Sequence, residues 1–202
     1  MKIDLHVHSS DRSPCGQASD EEQVRAAIVA GLDAIVFTDH HCFVPLEQLD
    51  ALNRQFAPFR VFSGIEMTCQ GEDFLVIGVR DPSLERAGWE YADLYTFVRQ
   101  RGGFLALAHP FRYRQEIAVD CDRLRPDAIE ICSANTPPKA RSRIRKLAQK
   151  WRAHLLSNSD AHATERLGTY YIVLDERIAD EAALVALLKA GQFQCHSRCP
   201  AG

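Results

Sequence analysis

Short apolar runs recur along this chain, each followed by a polar junction and then by a segment with helical spacing. The runs predict strands over 2–6, 34–38, 60–67, 74–79, 104–108, 128–132, 154–157 and 170–174, and the spacing predicts helices over 19–31, 46–56, 91–101, 138–151 and 181–190. Ser19 is placed to cap the first helix. Glu22, three residues on, completes a capping box, and Gly31 is the stop. Gln70-Gly71-Glu72-Asp73 marks a turn between two strands, and Gly102-Gly103 closes the third helix. Apolar strands alternating with helices indicate parallel β/α units, and their number, about seven, suggests an α/β fold closed or nearly closed into a barrel. No repeat, low-complexity tract or flexible linker divides the chain. Residues 1–191 are therefore expected to form a single domain and 192–202 a fraying C-terminal tail.

Composition narrows the function class. At 202 residues the chain can bury a core without a disulfide or metal staple. A net charge of −3 gives no basic footprint, so extensive binding to duplex nucleic acid is not expected. No apolar run approaches the ~18 residues of a membrane span, and the N-terminal segment turns polar at once, unlike a secretory leader. Seven cysteines, an odd number with no CxxC, read as reduced thiols and a cytoplasmic location.

The eight histidines change the picture. In a parallel β/α barrel the chemistry sits at the C-terminal strand ends. There the chain carries His6 and His8, two apart and on one side of an extended strand, then Asp39-His40, Glu66, His109-Pro110, and Asp160-Ala161-His162. Each has an ordinary reading: a solvated strand end, a helix cap, a turn. One polynuclear metal site accounts for all of them together, and imidazole with carboxylate suits zinc, manganese or iron. His41, His154 and His196 lack this placement and read as surface or structural groups, with Cys195-x-x-x-Cys199 a weak metal pair in the tail.

Asp4-Leu5-His6-Val7-His8-Ser9, Thr38-Asp39-His40, Gly64-Ile65-Glu66, Ala108-His109-Pro110 and Ser159-Asp160-Ala161-His162 follow in an order that resembles the PHP (polymerase and histidinol phosphatase) domain family. The resemblance implies a distorted (β/α)7 barrel with two or three divalent ions at its mouth, hydrolysing phosphoesters. It implies that His6, His8, Glu66 and Asp160 hold a first ion, that Glu66 bridges to one held by His109, and that His40 and His162 serve another. Glu66, Asp160 and His162 are the residues expected to carry catalysis. Two positions depart from the family's fullest pattern. Ser13 and Pro14 stand where a ligand beside His40 is often found, leaving Asp11 or Cys15 to substitute, and Leu75 stands where a further histidine often occurs.

Paired cations lower the pKa of a shared water and neutralise phosphoryl charge, so a hydroxide bridging the ions is the expected nucleophile. The chain has neither a Cys-x5-Arg loop nor a phosphate-binding P-loop. Asp4 and Asp39 are expected to accept hydrogen bonds from ligand imidazoles and orient them. Arg12 and Arg112 are the expected phosphate contacts; Arg143, Arg145, Lys146 and Lys150 read as a solvated helix face. The leading expectation is a phosphoesterase acting on a small phosphomonoester or a nucleotide or oligonucleotide end. A C–N hydrolase of amidohydrolase type and a non-catalytic module with a degenerate site are the alternatives.

Overall fold

A computed structural model describes residues 1–178 and 180–197. Among the described residues, ten strands are formed: β1 Lys2–Val7, β2 Ala34–Phe37, β3 Arg60–Ser63, β4 Ile65–Cys69, β5 Glu72–Ile77, β6 Phe104–Leu107, β7 Ala128–Cys132, β8 His154–Ser157, β9 Tyr170–Leu174 and β10 Phe193–Ser197. Five α-helices accompany them: α1 Asp20–Val29, α2 Leu46–Gln55, α3 Tyr91–Gln100, α4 Arg141–Trp151 and α5 Glu181–Ala190. The Ser19–Glu22 capping box is present at the start of α1, and Gly31, at φ 80°, follows its last turn.

The strands pair into two five-stranded sheets, β10-β9-β1-β2-β3 and β4-β5-β6-β7-β8, rather than into one continuous closed ladder. Parallel pairing holds among β1–β3 and among β6–β8, as the β/α alternation predicts. It fails at β4–β5, β5–β6 and β9 with both its neighbours, which are antiparallel. The physical reason at β4–β5 is local: Gln70 and Gly71 both take positive φ, 52° and 84°, the tight two-residue turn that returns the chain on itself. The expected frayed tail also differs. Gly191, at φ 68°, ends α5 and returns the chain so that β10 pairs with β9, and His196 stacks on Tyr171 with ring centroids 4.5 Å apart. Cys199 lies outside the described residues.

Strand alternation sorts the apolar residues into layers. Ile3, Leu5, Val36, Leu75, Ala106 and Leu156 meet between the two sheets. There they join Leu184 and Leu188 of α5, which covers the end where the parallel strands begin. Val24 and Ala27 of α1 and Leu52 of α2 pack on the outer face of the first sheet. Leu94 and Val98 of α3, with Ile144 and Trp151 of α4, pack on the outer face of the second. The opposite end, where the parallel strands finish, is left to polar residues. No helix among the described residues is long and apolar enough to cross a membrane.

The apolar run 60–67 is not one strand. It breaks at Gly64, with β3 at the edge of one sheet and β4 at the edge of the other. A Cβ at Gly64 would sit 2.7 Å from the Val76 carbonyl oxygen and 3.0 Å from the Thr38 methyl, so only glycine lets the chain cross between sheets here. Two isolated bridges, His40 with Glu66 and Val7 with Ala161, stitch the sheets at this polar end. Gly64→Ala is expected to lower unfolding free energy by roughly 1–3 kcal/mol, since a backbone oxygen cannot rotate away, with chemical denaturation as the measurement.

Candidate metal centre

His6 and His8 reach the polar end through a defect in β1. Between the pairs Asp4–Ile35 and Val7–Phe37, β1 advances three residues while β2 advances two, so one extra residue is inserted. With strict alternation Val7 would share the inner face with Ile3 and Leu5. Instead Val7 packs with the outer layer, and His6 and His8 take the inner side. Both histidines are fully buried.

Around them the other strand ends converge. His6 Nε2 and His8 Nε2 lie 3.0 Å apart. Glu66 Oε2 is 3.3 Å from His6 Nε2, 3.2 Å from His8 Nε2 and 3.3 Å from His40 Nδ1. Asp160 Oδ1 is 3.4 Å from His6 Nε2, 3.3 Å from His8 Nε2 and 3.4 Å from His162 Nδ1. His109 Nε2 bonds Glu66 Oε1 at 3.0 Å and lies 3.9 Å from Asp160 Oδ2. Glu66 Oε2 and Asp160 Oδ1 are buried yet have no hydrogen-bond partner. Buried carboxylate oxygens normally find a donor. Here their unpaired oxygens point among imidazole nitrogens, a donor set fitted to divalent cations. Among the described residues, four overlapping ligand groups could each hold a metal ion: His6 with His8 and Glu66; His6 with His109 and Asp160; Glu66 with Asp73 and His109; and His8 with Cys15, His40 and His162.

Charge is divided unevenly across the cluster. Burial alone would depress the His8 imidazole, but its contacts with Asp160 and Glu66 outweigh this and push it up to about 9. His6 and His109 are likewise raised against burial by the same carboxylates. In return the histidines hold Glu66 and Asp160 well below the usual carboxylate range, despite burial acting the other way. At the outer edge burial prevails, and His40 and His162 are lowered. His109 and Asp160 sit at φ 24° and 52°, left-handed backbone that an L residue adopts only under constraint.

The sequence-predicted residues fall into two sets. His6, His8, His40, Glu66, His109, Asp160 and His162 are brought together. Asp11 is not: its Oδ2 accepts from the Asp20 amide at 2.9 Å, at the start of α1, and Cys15 is the loop residue that joins the cluster. Arg12 is drawn from the expected phosphate contact into a buried ion pair with Asp20 and Asp39, with contacts of 2.5–2.7 Å. Arg112 does face the site, its Nη1 lying 3.6 Å from Asp160 Oδ2. Beside it opens a cleft of about 560 Å³ that Gln17, Asn135, His162 and Arg166 also line.

Asp4 and Asp39 hold backbone and loop rather than imidazoles. Asp4 accepts from the His6 and Ser159 amides, and burial pushes its carboxyl up to about 7. Asp39 accepts from the Ser9 amide and the Ser13 hydroxyl. The imidazole-orienting role is taken by Glu130, which sequence reasoning passed over. Its Oε1 accepts from His6 Nδ1 at 2.9 Å and its Oε2 from the His109 amide at 2.8 Å, which leaves His6 Nε2 facing the cluster. The available signal was a lone carboxylate inside the apolar run Ala-Ile-Glu-Ile-Cys, which burial requires to be paired. Asp73 was also missed. It lies two residues before Leu75 on β5, 3.9 Å from His109 Nε2. Asn135, a third omission, donates to Asp160 Oδ2 at 2.5 Å. His41, His154 and His196 lie outside the four groups, with His154 Nε2 3.1 Å from the Lys189 carbonyl oxygen.

The fold has counterparts among known proteins. A two-domain protein from Bacteroides vulgatus, described as containing a predicted PHP-like metal-dependent phosphoesterase, aligns with a TM-score of 0.71 at 17% identity, over 98% of this chain and 64% of its own. The lesion-specific endonuclease PfuEndoQ from Pyrococcus furiosus aligns with a TM-score of 0.68 at 15% identity, over 96% of this chain and 57% of its own. An amidohydrolase from Chromobacterium violaceum, solved with bound sulfate and no metal, aligns with a TM-score of 0.63 at 17% identity, over 83% of this chain and 90% of its own. This chain thus spans about two thirds or less of the first two proteins, and at these identities the likeness speaks for the fold alone. No curated protein matches the sequence. Residues 138–193 match the PHP-associated region, and residues 4–155, which carry the bulged strand and all of the cluster except Asp160 and His162, match the PHP domain: the chain belongs to the PHP family.

Proposed function

We propose that this chain is a metal-dependent phosphoesterase whose ions are held by His6, His8, His40, Glu66, Asp73, His109, Asp160 and His162. The observation that carries this reading is the pair of buried oxygens, Glu66 Oε2 and Asp160 Oδ1, that accept no hydrogen bond yet face several imidazoles beside an open cleft. Divalent ions held by these residues would supply Lewis acidity and lower the pKa of a bound water. The chain's own groups do the rest. Glu130 fixes the His6 ring, and Asn135 holds one Asp160 oxygen so that the other faces inward. Arg112, only partly buried at the cleft, offers a planar pair of donors to a phosphoryl group. The substrate class that fits is a small phosphomonoester or a nucleotide or oligonucleotide end, because the cleft beside Arg112 is open. We also read the two sheets as halves of a distorted (β/α)7-type barrel, since the bridges His40–Glu66 and Val7–Ala161 join them at the mouth.

With metal bound, the protein is expected to release p-nitrophenol from its phosphate monoester or its bis ester, or to shorten an oligonucleotide from one end. Asp160→Asn should lower turnover by at least about a hundredfold with the fold intact by circular dichroism. Full activity in that variant would remove the proposed site. Cleavage of amide substrates alone would instead favour a C–N hydrolase.

Glu130→Gln is expected to weaken metal affinity by roughly 10–100-fold, since the amide holds the His6 ring less firmly than the carboxylate. Competition with a chromophoric chelator measures this.

The metal-free protein should lose stability as pH rises. His8 is raised from 6.5 to about 9 on folding, so its stabilising contribution is complete below pH 6.5 and is lost as pH climbs through 9. Asp4, favoured neutral by burial up to about 7, acts in the same direction as it ionises. Saturating metal should reverse the slope, because the ligands must be deprotonated to bind. Thermal melts between pH 6.5 and 9, with and without zinc, show either sign directly.

A further inference from the structure

Among the four ligand groups, the outermost contains a thiol. Ligand atoms of Cys15, His40, His162 and His8 all lie within 4.8 Å of one another. In a tetrahedral zinc site such atoms stand roughly 3.3–3.8 Å apart, so little closure is needed. His8, fully buried, leaves its Nδ1 without a hydrogen-bond partner. The loop from Ser9 to Ala18 is tied to both flanking histidine segments. The Gln17 amide donates to the His162 carbonyl at 2.8 Å, and the His40 amide donates to Ser13 Oγ at 3.1 Å. Gly16 lets the loop fold back on itself, since a Cβ there would meet Ser9 and Ser10 backbone atoms at 2.5 Å. Cys15 is thereby held between two histidines from different strand ends, while Asp11 of the same loop is committed to α1.

We propose that Cys15 is a metal ligand, joining His40 and His162, with His8 bordering, around the outermost ion and making that position select zinc over manganese or magnesium. A thiolate is a soft donor, and with imidazoles it favours tetrahedral zinc over the oxygen-rich, octahedral sets that manganese and magnesium prefer. The inner groups, built from carboxylates and imidazoles, carry no such preference. The inference rests on the phosphoesterase reading only for the presence of ions at the cluster.

Cobalt(II) titrated into the metal-stripped full chain tests it, because a cobalt–thiolate bond has a near-ultraviolet charge-transfer absorption that imidazole and carboxylate ligands lack. The band should appear with the wild-type chain, persist in Cys42→Ser, and vanish in Cys15→Ser and Cys15→Asp. Cys15→Asp should still take up the ion but retain zinc at least about tenfold less well against manganese. Circular dichroism shows whether each variant folds, and Cys15 is exposed, so neither change disturbs the core. Cobalt binding with no thiolate band, or a band that survives in both Cys15 variants, would overturn the inference and leave the phosphoesterase reading standing. Failure of the chain to bind any ion would overturn both.

Discussion

Two buried carboxylates, Glu66 and Asp160, organise the polar end of this protein. An isolated carboxylate in a protein interior costs several kcal/mol, and the usual remedies are protonation or a hydrogen-bonded partner. Here neither is used for Glu66 Oε2 or Asp160 Oδ1, and the neighbouring imidazoles hold both groups below the usual carboxylate range against the effect of burial. The balance requires imidazoles from several strand ends to be aimed at one small volume. A cluster of this kind is destabilised by the loss of any one member.

The supporting structure can be understood as the means of bringing those groups together. The inserted residue in β1 turns His6 and His8 inward, and Gly64 passes the chain from one sheet to the other so that Glu66 arrives beside them. Positive φ at His109 and Asp160 places strain directly at the cluster, where the surrounding contacts over-determine it. The remainder is conventional packing, with an apolar layer between the sheets, helices outside, and α5 covering the far end. Apolar packing therefore supports one end and leaves the other free for charge.

The sequence carried the histidines and acids at strand ends well, because an apolar strand ending in an ionisable residue is a local pattern. It misread Asp11 and Arg12 for an equally physical reason. A loop residue's side chain has several partners within reach, and the start of α1 and the Asp20–Asp39 pair claimed these two. Glu130 was present inside an apolar run, but its importance comes from touching His6, more than a hundred residues away. Asp73 and Asn135 likewise gain meaning only through contacts with His109 and Asp160.

By itself the sequence determined the family, the α/β character, most strand and helix positions and the core of the histidine and carboxylate cluster, because periodicity and strand-end chemistry are properties of neighbouring residues. Tertiary structure decided what depends on distant contacts. It split the run 60–67 between two sheets, made β4–β5 and β9–β10 antiparallel, and paired the expected tail as β10. It also used one extra residue in β1 to choose which face His6 and His8 would share. A one-residue shift reverses every side chain beyond it, and only the partner strand's register, absent from any local pattern, fixes where that shift falls.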